Sequence, residues 1–411
     1  MKKANILVTS LGNALEWFDY GLFIFLAPVI GKKFFPIVGD ENSTIATFSV
    51  LSLGFLFRPI GGLLFGHIGD TKGRAKTLKI SILIISLSTF LIGILPSYEQ
   101  AGITVSILFI FIRLVHGISV GGEYSGVMIY LAESASPKNR GFVTSFSVIG
   151  ANIGFILSIL IIYLTKNILI VDAFNSWGWR LPFIIAGSVG FIILYNRLNL
   201  TETAVYTTMK KIQTVPFLNI FKSFKKDILR ILGITCMGST FYYVFFGYIP
   251  DYLINYIYIL PNQAFELQIA LLLIMIILIP LSGMLGDKFG RKRMLLLTSI
   301  SIIVCVLPCL YLLQSKAVPL IILALGIATI LSSVEQGNTL TSVVENFPVN
   351  IRYSGVAFSY NLGNSLFGGT APLIVALLNK NFSYSAPGYY LIFMAIIGLV
   401  AILTIPKPQI F

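Results

Sequence analysis

Six charged residues stand inside long apolar runs of this sequence: Glu16, Asp19, Arg58, Arg113, Glu123 and Glu335. Where such a run crosses a bilayer, a charge near its centre costs at least ~2.5–3.5 kcal/mol on insertion scales, so it is paired or faces a water-filled cavity. Asp19 and Arg113 suit each other. A neighbouring guanidinium favours the carboxylate, and separating the two lets the acid take up a proton. Such a pair either couples a proton to another movement or is a static ion pair tying two helices together. Glu16 lies one helical turn before Asp19 on the same face. Two acids that close oppose each other's ionisation, so either is a candidate proton carrier. His116 follows Arg113 by three residues; it is either a proton relay or a neutral, satisfied polar residue among apolar neighbours. Arg58 precedes Pro59 in mid-run. Its charge meets either the carboxylate of a bound solute or an acid of the first run.

The elements that must hold these side chains follow from composition. Of 411 residues, 56% are apolar and 11% are charged, against about 45–50% and about 25% in soluble domains. So few charges cannot cover a water-facing surface. A soluble enzyme, a disordered chain and a nucleic-acid binder are excluded, and a membrane-embedded protein remains. A span needs about 20 largely apolar residues. Twelve runs qualify: 10–31, 46–66, 77–96, 103–131, 142–165, 180–198, 228–250, 266–285, 294–313, 317–342, 354–378 and 388–405. They are too long and continuous for the alternating strands of a β-barrel. The first carries Glu16 and Asp19 and no small-residue cleavage site follows, so it reads as a span rather than a cleavable signal.

The net charge of +13 is explained by position, since basic residues collect in cytoplasmic loops. Lys2, Lys3, Lys72, Arg74, Lys76, Lys79, Lys138, Arg140, the basic residues counted with the central loop (Arg197, Lys210, Lys211, Lys222, Lys225, Lys226 and Arg230), Lys288, Arg291, Lys292, Arg293, Arg352 and Lys407 fall on one side. The other side holds Lys32, Lys33, Lys166, Arg180, Lys316 and Lys380. This places both termini and the central loop in the cytoplasm of a multi-pass cell-membrane protein, the bacterial inner membrane. The expected organisation is an N-terminal six-helix bundle at 1–198, a cytoplasmic loop at 199–227 and a C-terminal six-helix bundle at 228–411.

The two halves repeat. GHIGDTKGR (66–74) and GMLGDKFGR (283–291) both read G-x-x-G-D-x-x-G-R. An offset of 212 residues pairs Glu123, Glu133 and Arg140 with Glu335, Glu345 and Arg352. It also pairs Phe146-Ser147, Asn152 and Phe155 with Phe358-Ser359, Asn364 and Phe367. Similar loops in the same order imply parallel repeats about an axis along the membrane normal. Small-xxx-small spacings at Gly117, Gly121, Gly122 and Gly126, and at Gly150 and Gly154, suit close helix packing. No G-x-x-x-x-G-K-[ST] loop is present, so ATP-driven transport is not expected. The three cysteines, Cys236, Cys305 and Cys309, lie in apolar runs without metal-ligand spacing. No cofactor or metal is expected.

Twelve spans, a 6+6 split and the duplicated loop motif resemble the major facilitator superfamily. GNALEWFDYGLF (12–23), FRPIGGLLFGHIGD (57–70), RLVHGISVGGEYSG (113–126) and WGWRLPF (177–183) look like its metabolite:proton symporter family, which carries proline, glycine betaine, α-ketoglutarate, citrate and related solutes. Three departures stand out. Thr71 replaces a basic residue kept as Lys288 in the second copy, and His116 stands where glutamine is usual. The chain also ends soon after span twelve, without the coiled-coil tail of osmosensing members, so tuning by osmolality in that way is not expected. The resemblance implies an all-α fold of two six-helix bundles related by a pseudo-two-fold axis, with the first and fourth helices lining a central cavity. The candidate proton-coupling set, read from the residues themselves, is Asp19, Glu16, Arg113 and His116. The resemblance makes Asp70, Gly73, Arg74, Glu123, Glu133 and Arg140, with Asp287, Gly290, Arg291, Glu335, Glu345 and Arg352, two interdomain latches. Positive-inside topology alone would also account for the basic members.

The substrate is read from aromatic residues. Trp17, Phe18 and Tyr20, and the Phe241–Tyr248 segment, offer faces that bind quaternary ammonium, at roughly 0.5–2 kcal/mol each; for any single one of them packing is the stronger explanation, since aromatics are common in spans and their interface belts. The candidate binding set is Trp17, Tyr20, Arg58, Tyr242, Tyr243, Phe246 and Asn361. A dicarboxylate would want two buried cations, and Arg113 is expected to be engaged by acids. The expectation is therefore a monomeric, non-enzymatic, proton-coupled symporter of a small zwitterion of the proline and betaine type. The alternatives are symport of a di- or tricarboxylate such as α-ketoglutarate or citrate, export of a drug-like solute, or a sensor or channel.

Overall fold

The computed structural model describes residues 3–208, 220–221 and 223–406. The middle of the central loop, with Lys210, Lys211 and Lys222, and also Lys2 and Lys407, lies outside the described residues. Twelve helices there are long and apolar enough to cross a membrane: α1 (Asn5–Phe34), α2 (Asn42–Lys72), α3 (Arg74–Ile94), α4 (Ile103–Ser134), α5 (Arg140–Ile168), α6 (Gly178–Arg197), α7 (Lys225–Tyr248), α8 (Gln263–Phe289), α9 (Arg291–Gln314), α10 (Val318–Glu345), α11 (Arg352–Asn381) and α12 (Ala386–Leu403). All twelve expected runs are present and in order.

The helices outrun the apolar runs mainly at polar ends. α3, α5, α9 and α11 each begin on an arginine, Arg74, Arg140, Arg291 and Arg352. The first backbone N–H groups of a helix lack intrahelical partners. At α5 and α11 these donors meet aspartates of the other half, so the polar residues fold as helix rather than loop. Between α2 and α3, and again between α8 and α9, the chain turns on one glycine, Gly73 at φ 106° and Gly290 at φ 95°. That backbone region strains any residue with a Cβ, which is why both copies of the motif carry glycine there. Large apolar side chains such as Phe111, Ile192, Ile277, Val304 and Phe393 stand exposed on the outer faces, as lipid-facing surfaces require.

Packing follows the repeat. α1 lies on α5, α2 on α4 and α3 on α6; α7 lies on α11, α8 on α10 and α9 on α12. The halves meet along α2–α11 and α5–α8, a symmetric pair of contacts under the repeat. Small residues let the helices approach. A Cβ on Gly121 would stand 2.1 Å from the Arg58 carbonyl of α2, and one on Gly154 would stand 2.0 Å from the Ala14 carbonyl of α1. The same holds between halves, where a Cβ on Gly141 or Gly283 would come within 2.6 Å of the other's carbonyl oxygen. Two π-helical turns, Tyr243–Tyr248 in α7 and Asn364–Gly368 in α11, have no counterpart in the sequence reading. Such single turns recur at functional sites, and both border the cavity described next.

Candidate functional site

Three groups of polar side chains lie along the interior. The first is the buried charge cluster of the N-terminal half. Arg113 Nη1 donates to Asp19 Oδ2 at 2.6 Å and Thr89 Oγ1 donates to Oδ1 at 2.8 Å. Asp19 is therefore held from α3 and α4 together. The Arg113 guanidinium also sits 3.6 Å from the Phe23 ring centroid. His116 Nε2 stands 3.3 Å from the same Asp19 oxygen without hydrogen-bond geometry. Glu16 differs from Asp19. Its nearest cation, Arg58, is 3.6 Å away, and neither of its oxygens accepts a hydrogen bond. Arg58 stacks over Phe55, 3.8 Å from the ring centroid. Of its two expected partners it has taken the acid of the first span.

The second group surrounds a cavity between the halves, where α1, α4, α5, α7, α10 and α11 converge. Its empty volume is about 540 Å³, counting space open to solvent. Trp17, Tyr124, Tyr242, Tyr243 and Tyr360 supply aromatic walls. Tyr124 and Tyr360 stack across the two halves with centroids 5.5 Å apart, and Trp17 stacks on Tyr243 at 6.4 Å. Asn152, Thr235, Gln336, Thr339 and Asn364 add polar groups, and among the described residues Glu335 is the single charged side chain of the lining. Five polar atoms of the lining residues are buried and make no hydrogen bond among the described residues: Trp17 Nε1, Asn152 Nδ2, Thr235 Oγ1, Tyr243 Oη and Gln336 Nε2. Buried polar groups are normally satisfied. Five orphaned atoms on residues around one space leave it chemically able to hydrogen-bond a polar solute.

Of the expected binding set, Trp17, Tyr242 and Tyr243 line this cavity; Tyr20, Arg58, Phe246 and Asn361 do not. Tyr20 packs edge-on against Trp17 and Phe55, and Phe246 stacks behind Tyr242. Asn361 Nδ2 donates to the Gly121 carbonyl at 2.8 Å and to Ser125 Oγ at 3.1 Å, joining α11 to α4. The sequence reading missed Tyr124, Asn152, Gln336, Tyr360 and Asn364 as lining residues. One signal was present, because the offset of 212 that pairs Asn152 with Asn364 also pairs Tyr124 with Gln336.

The third group closes one end of the interface, the basic end. Glu133 accepts from Arg74 at 3.2 and 3.3 Å, from Arg352 at 3.1 Å and from Thr203 at 2.8 Å. Glu345 accepts from Arg140 at 2.8 Å and Arg291 at 3.1 Å. Asp70 receives the Tyr353 and Ser354 N–H groups that open α11, at 3.0 and 2.9 Å. Asp287 receives the Gly141 and Phe142 N–H groups that open α5, at 2.9 and 3.0 Å. Each aspartate thus places negative charge at the positive end of a helix dipole of the opposite half. The repeat seen in sequence is a repeat of contacts.

Two expected latch members lie elsewhere. Glu123 pairs with Arg197 at 2.7 Å, with Ser81 at 2.5 Å, wholly inside the N-terminal half. Arg197 is fully buried there, although the sequence reading put it in the central loop. Glu335 faces the cavity. Both positions lie about three helical turns deeper than Glu133 and Glu345, too far from the helix ends to reach the charges gathered there.

Comparison with known proteins agrees with this architecture. The family model described as "Major Facilitator Superfamily" matches residues 9–360 and 267–410. The chain is 34% identical to the proline/betaine transporter of Escherichia coli K12, over 99% of this chain and 84% of that protein. It is 35% identical to the glycine betaine/proline/ectoine/pipecolic acid transporter OusA of Dickeya dadantii, over 97% and 82%. Among solved structures, the proton:xylose symporter XylE bound to 6-bromo-6-deoxy-D-glucose superposes with a TM-score of 0.77 at 17% identity, covering 98% of this chain and 95% of that one. The human organic anion transporter MFSD10 superposes at 0.72 and 15% identity.

Proposed function

The chain belongs to the major facilitator superfamily, and on that premise we propose that it is a secondary transporter coupling a proton to a small zwitterion of the proline and glycine betaine class. The observation that carries the reading is the cavity lining. Among the described residues it combines five aromatic side chains, five orphaned polar atoms and one carboxylate, with no lysine or arginine. A quaternary or secondary ammonium gains from aromatic faces, and its own carboxylate needs N–H and O–H donors. A dicarboxylate would meet Glu335 with no cation to offset the repulsion. The two relatives named for proline and betaine transport support the same class.

On this reading the basic end is cytoplasmic, as are both termini, and the protein works as a monomer in the inner membrane. The cavity is reached alternately from the two sides as the halves rock, with the basic end closed in the structure described. Asp19 and Arg113 supply the proton step: held together, they keep the carboxylate charged, and parting them favours proton uptake. Glu16, whose oxygens accept no hydrogen bond, is the second candidate carrier. Competition for labelled glycine betaine binding by proline, α-ketoglutarate and citrate on purified protein tests the substrate class. The reading expects proline to compete and the acids not to; displacement by the acids alone would overturn it.

A further inference from the structure

Repeat-related residues usually share a fate, and Glu123 and Glu335 do not. Both are buried acids in α4 and α10, at the same position of the two repeats. Glu123 is neutralised by Arg197 from the end of α6. The corresponding helix of the second half, α12, carries no charged residue from Ala386 to Leu403. Glu335 keeps one hydrogen bond among the described residues, from Thr339 Oγ1 at 2.6 Å, and no ion pair. It is 4% exposed and presses on Gly238, where a Cβ would lie 2.0 Å from its Oε1. Glu335 thus lacks the counter-ion that Glu123 has, although a glycine faces the acid in both halves, Gly12 for Glu123 and Gly238 for Glu335. A buried carboxylate without a partner is costly, and this one borders a cavity. On the N-terminal half, the lining residues Trp17 and Asn152 carry N–H groups, at Nε1 and Nδ2, that bond nothing among the described residues.

We infer that Glu335 is the counter-ion of the solute's cationic nitrogen, and that the solute's carboxylate is turned toward Trp17 and Asn152 on the opposite half. The inference rests on the zwitterion reading above and adds a polarity to it. The cation end belongs to the C-terminal half and the anion end to the N-terminal half, so one bound zwitterion bridges the two bodies that rock. It also makes choline, which keeps the quaternary nitrogen and lacks the carboxylate, a ligand for one wall only.

The test is binding of radiolabelled glycine betaine, and of choline as competitor, to purified wild type and to E335Q, E335D and N152A. Removing one partner of a buried charge pair at a binding site costs roughly 30-fold or more in affinity. E335Q is expected to lose at least that for both ligands, while E335D, which keeps the charge, retains measurable binding of both. N152A is expected to weaken betaine and leave choline competition unchanged. Matching thermal unfolding of E335D and wild type separates misfolding from lost recognition. E335Q that binds betaine within about 2-fold of wild type overturns the inference alone. So does an E335Q protein that binds normally and loses only the pH dependence of uptake, since that would make Glu335 a proton site. Wild type that binds neither betaine nor proline overturns the zwitterion reading, and the inference falls with it.

Discussion

Replacing Asp70 with asparagine should open the basic end of the transporter. The carboxylate accepts two N–H groups from the start of α11, at 3.0 and 2.9 Å, and these bonds cross between the halves. Its third partner, Arg74 at 3.3 Å, belongs to its own half, so opening of the interface need not break that bond. Asparagine keeps one acceptor and turns its amide NH₂ toward the second N–H. The closed state then loses one charge-assisted bond, about 1.5–3 kcal/mol, and the interaction of a full charge with the α11 dipole, about 0.3–1 kcal/mol. Taken together, roughly 2–4 kcal/mol moves the closed-to-open equilibrium by a factor on the order of 30 to 1,000. Spin labels at Lys72 and Lys288, exposed at the basic ends of α2 and α8, would read the change by double electron–electron resonance once Cys236, Cys305 and Cys309 are replaced by serine. Asp70→Asn should raise the ratio of long-distance to short-distance populations by the stated factor, and Asp287→Asn, its repeat partner, should do the same. An unchanged distance distribution in folded protein would refute the claim that these bonds hold the gate.

Other perturbations separate coupling from structure. Asp19→Asn leaves Arg113 without its carboxylate and is expected to abolish uptake driven by a pH gradient while sparing counterflow exchange; unchanged concentrative uptake would remove Asp19 from the coupling step. Glu123→Gln strips Arg197 of its buried partner and should lower thermal stability by about 3–5 kcal/mol, with uptake per folded molecule preserved. A normal melting temperature would contradict the placement. Gly141→Leu would push a side chain into the Gly283 carbonyl and should cost the closed state ~1–3 kcal/mol, read in the same spin-label pair as a shift toward the open form; retention of the closed distance would count against the close approach.

Much of this architecture can be read from residues alone. Spans announce themselves because a bilayer needs continuous apolar runs, and the duplicated G-x-x-G-D-x-x-G-R loop places Asp70 and Asp287, Arg74 and Arg291 before any coordinates. The interface acids Glu133 and Glu345 follow from the separate 212-residue offset. What stays hidden depends on which helix faces which. Glu123 and Glu335 are equivalent in the repeat, and only the packing of α6 and α12 decides that one is neutralised and the other faces a cavity. Arg58 looked equally suited to a solute or an acid until α2 was laid beside α1. Asn361 and Asn364 differ by less than one turn, yet one ties α11 to α4 and the other lines the cavity. The π-helical turns of α7 and α11 leave no mark in hydropathy, because they change backbone register and not composition. Arg197 was misplaced because a basic residue at a helix end usually marks solvent, whereas here its guanidinium turns back into the core.

The central claim is that a proton gradient drives a small zwitterion through the cavity between the halves. Its most direct test is uptake of radiolabelled glycine betaine into proteoliposomes, with and without an imposed inside-alkaline pH gradient and with a proton ionophore as control. The account predicts accumulation above equilibrium with the gradient and its collapse with the ionophore. Betaine uptake indifferent to the gradient, or none at all from folded protein, would contradict it.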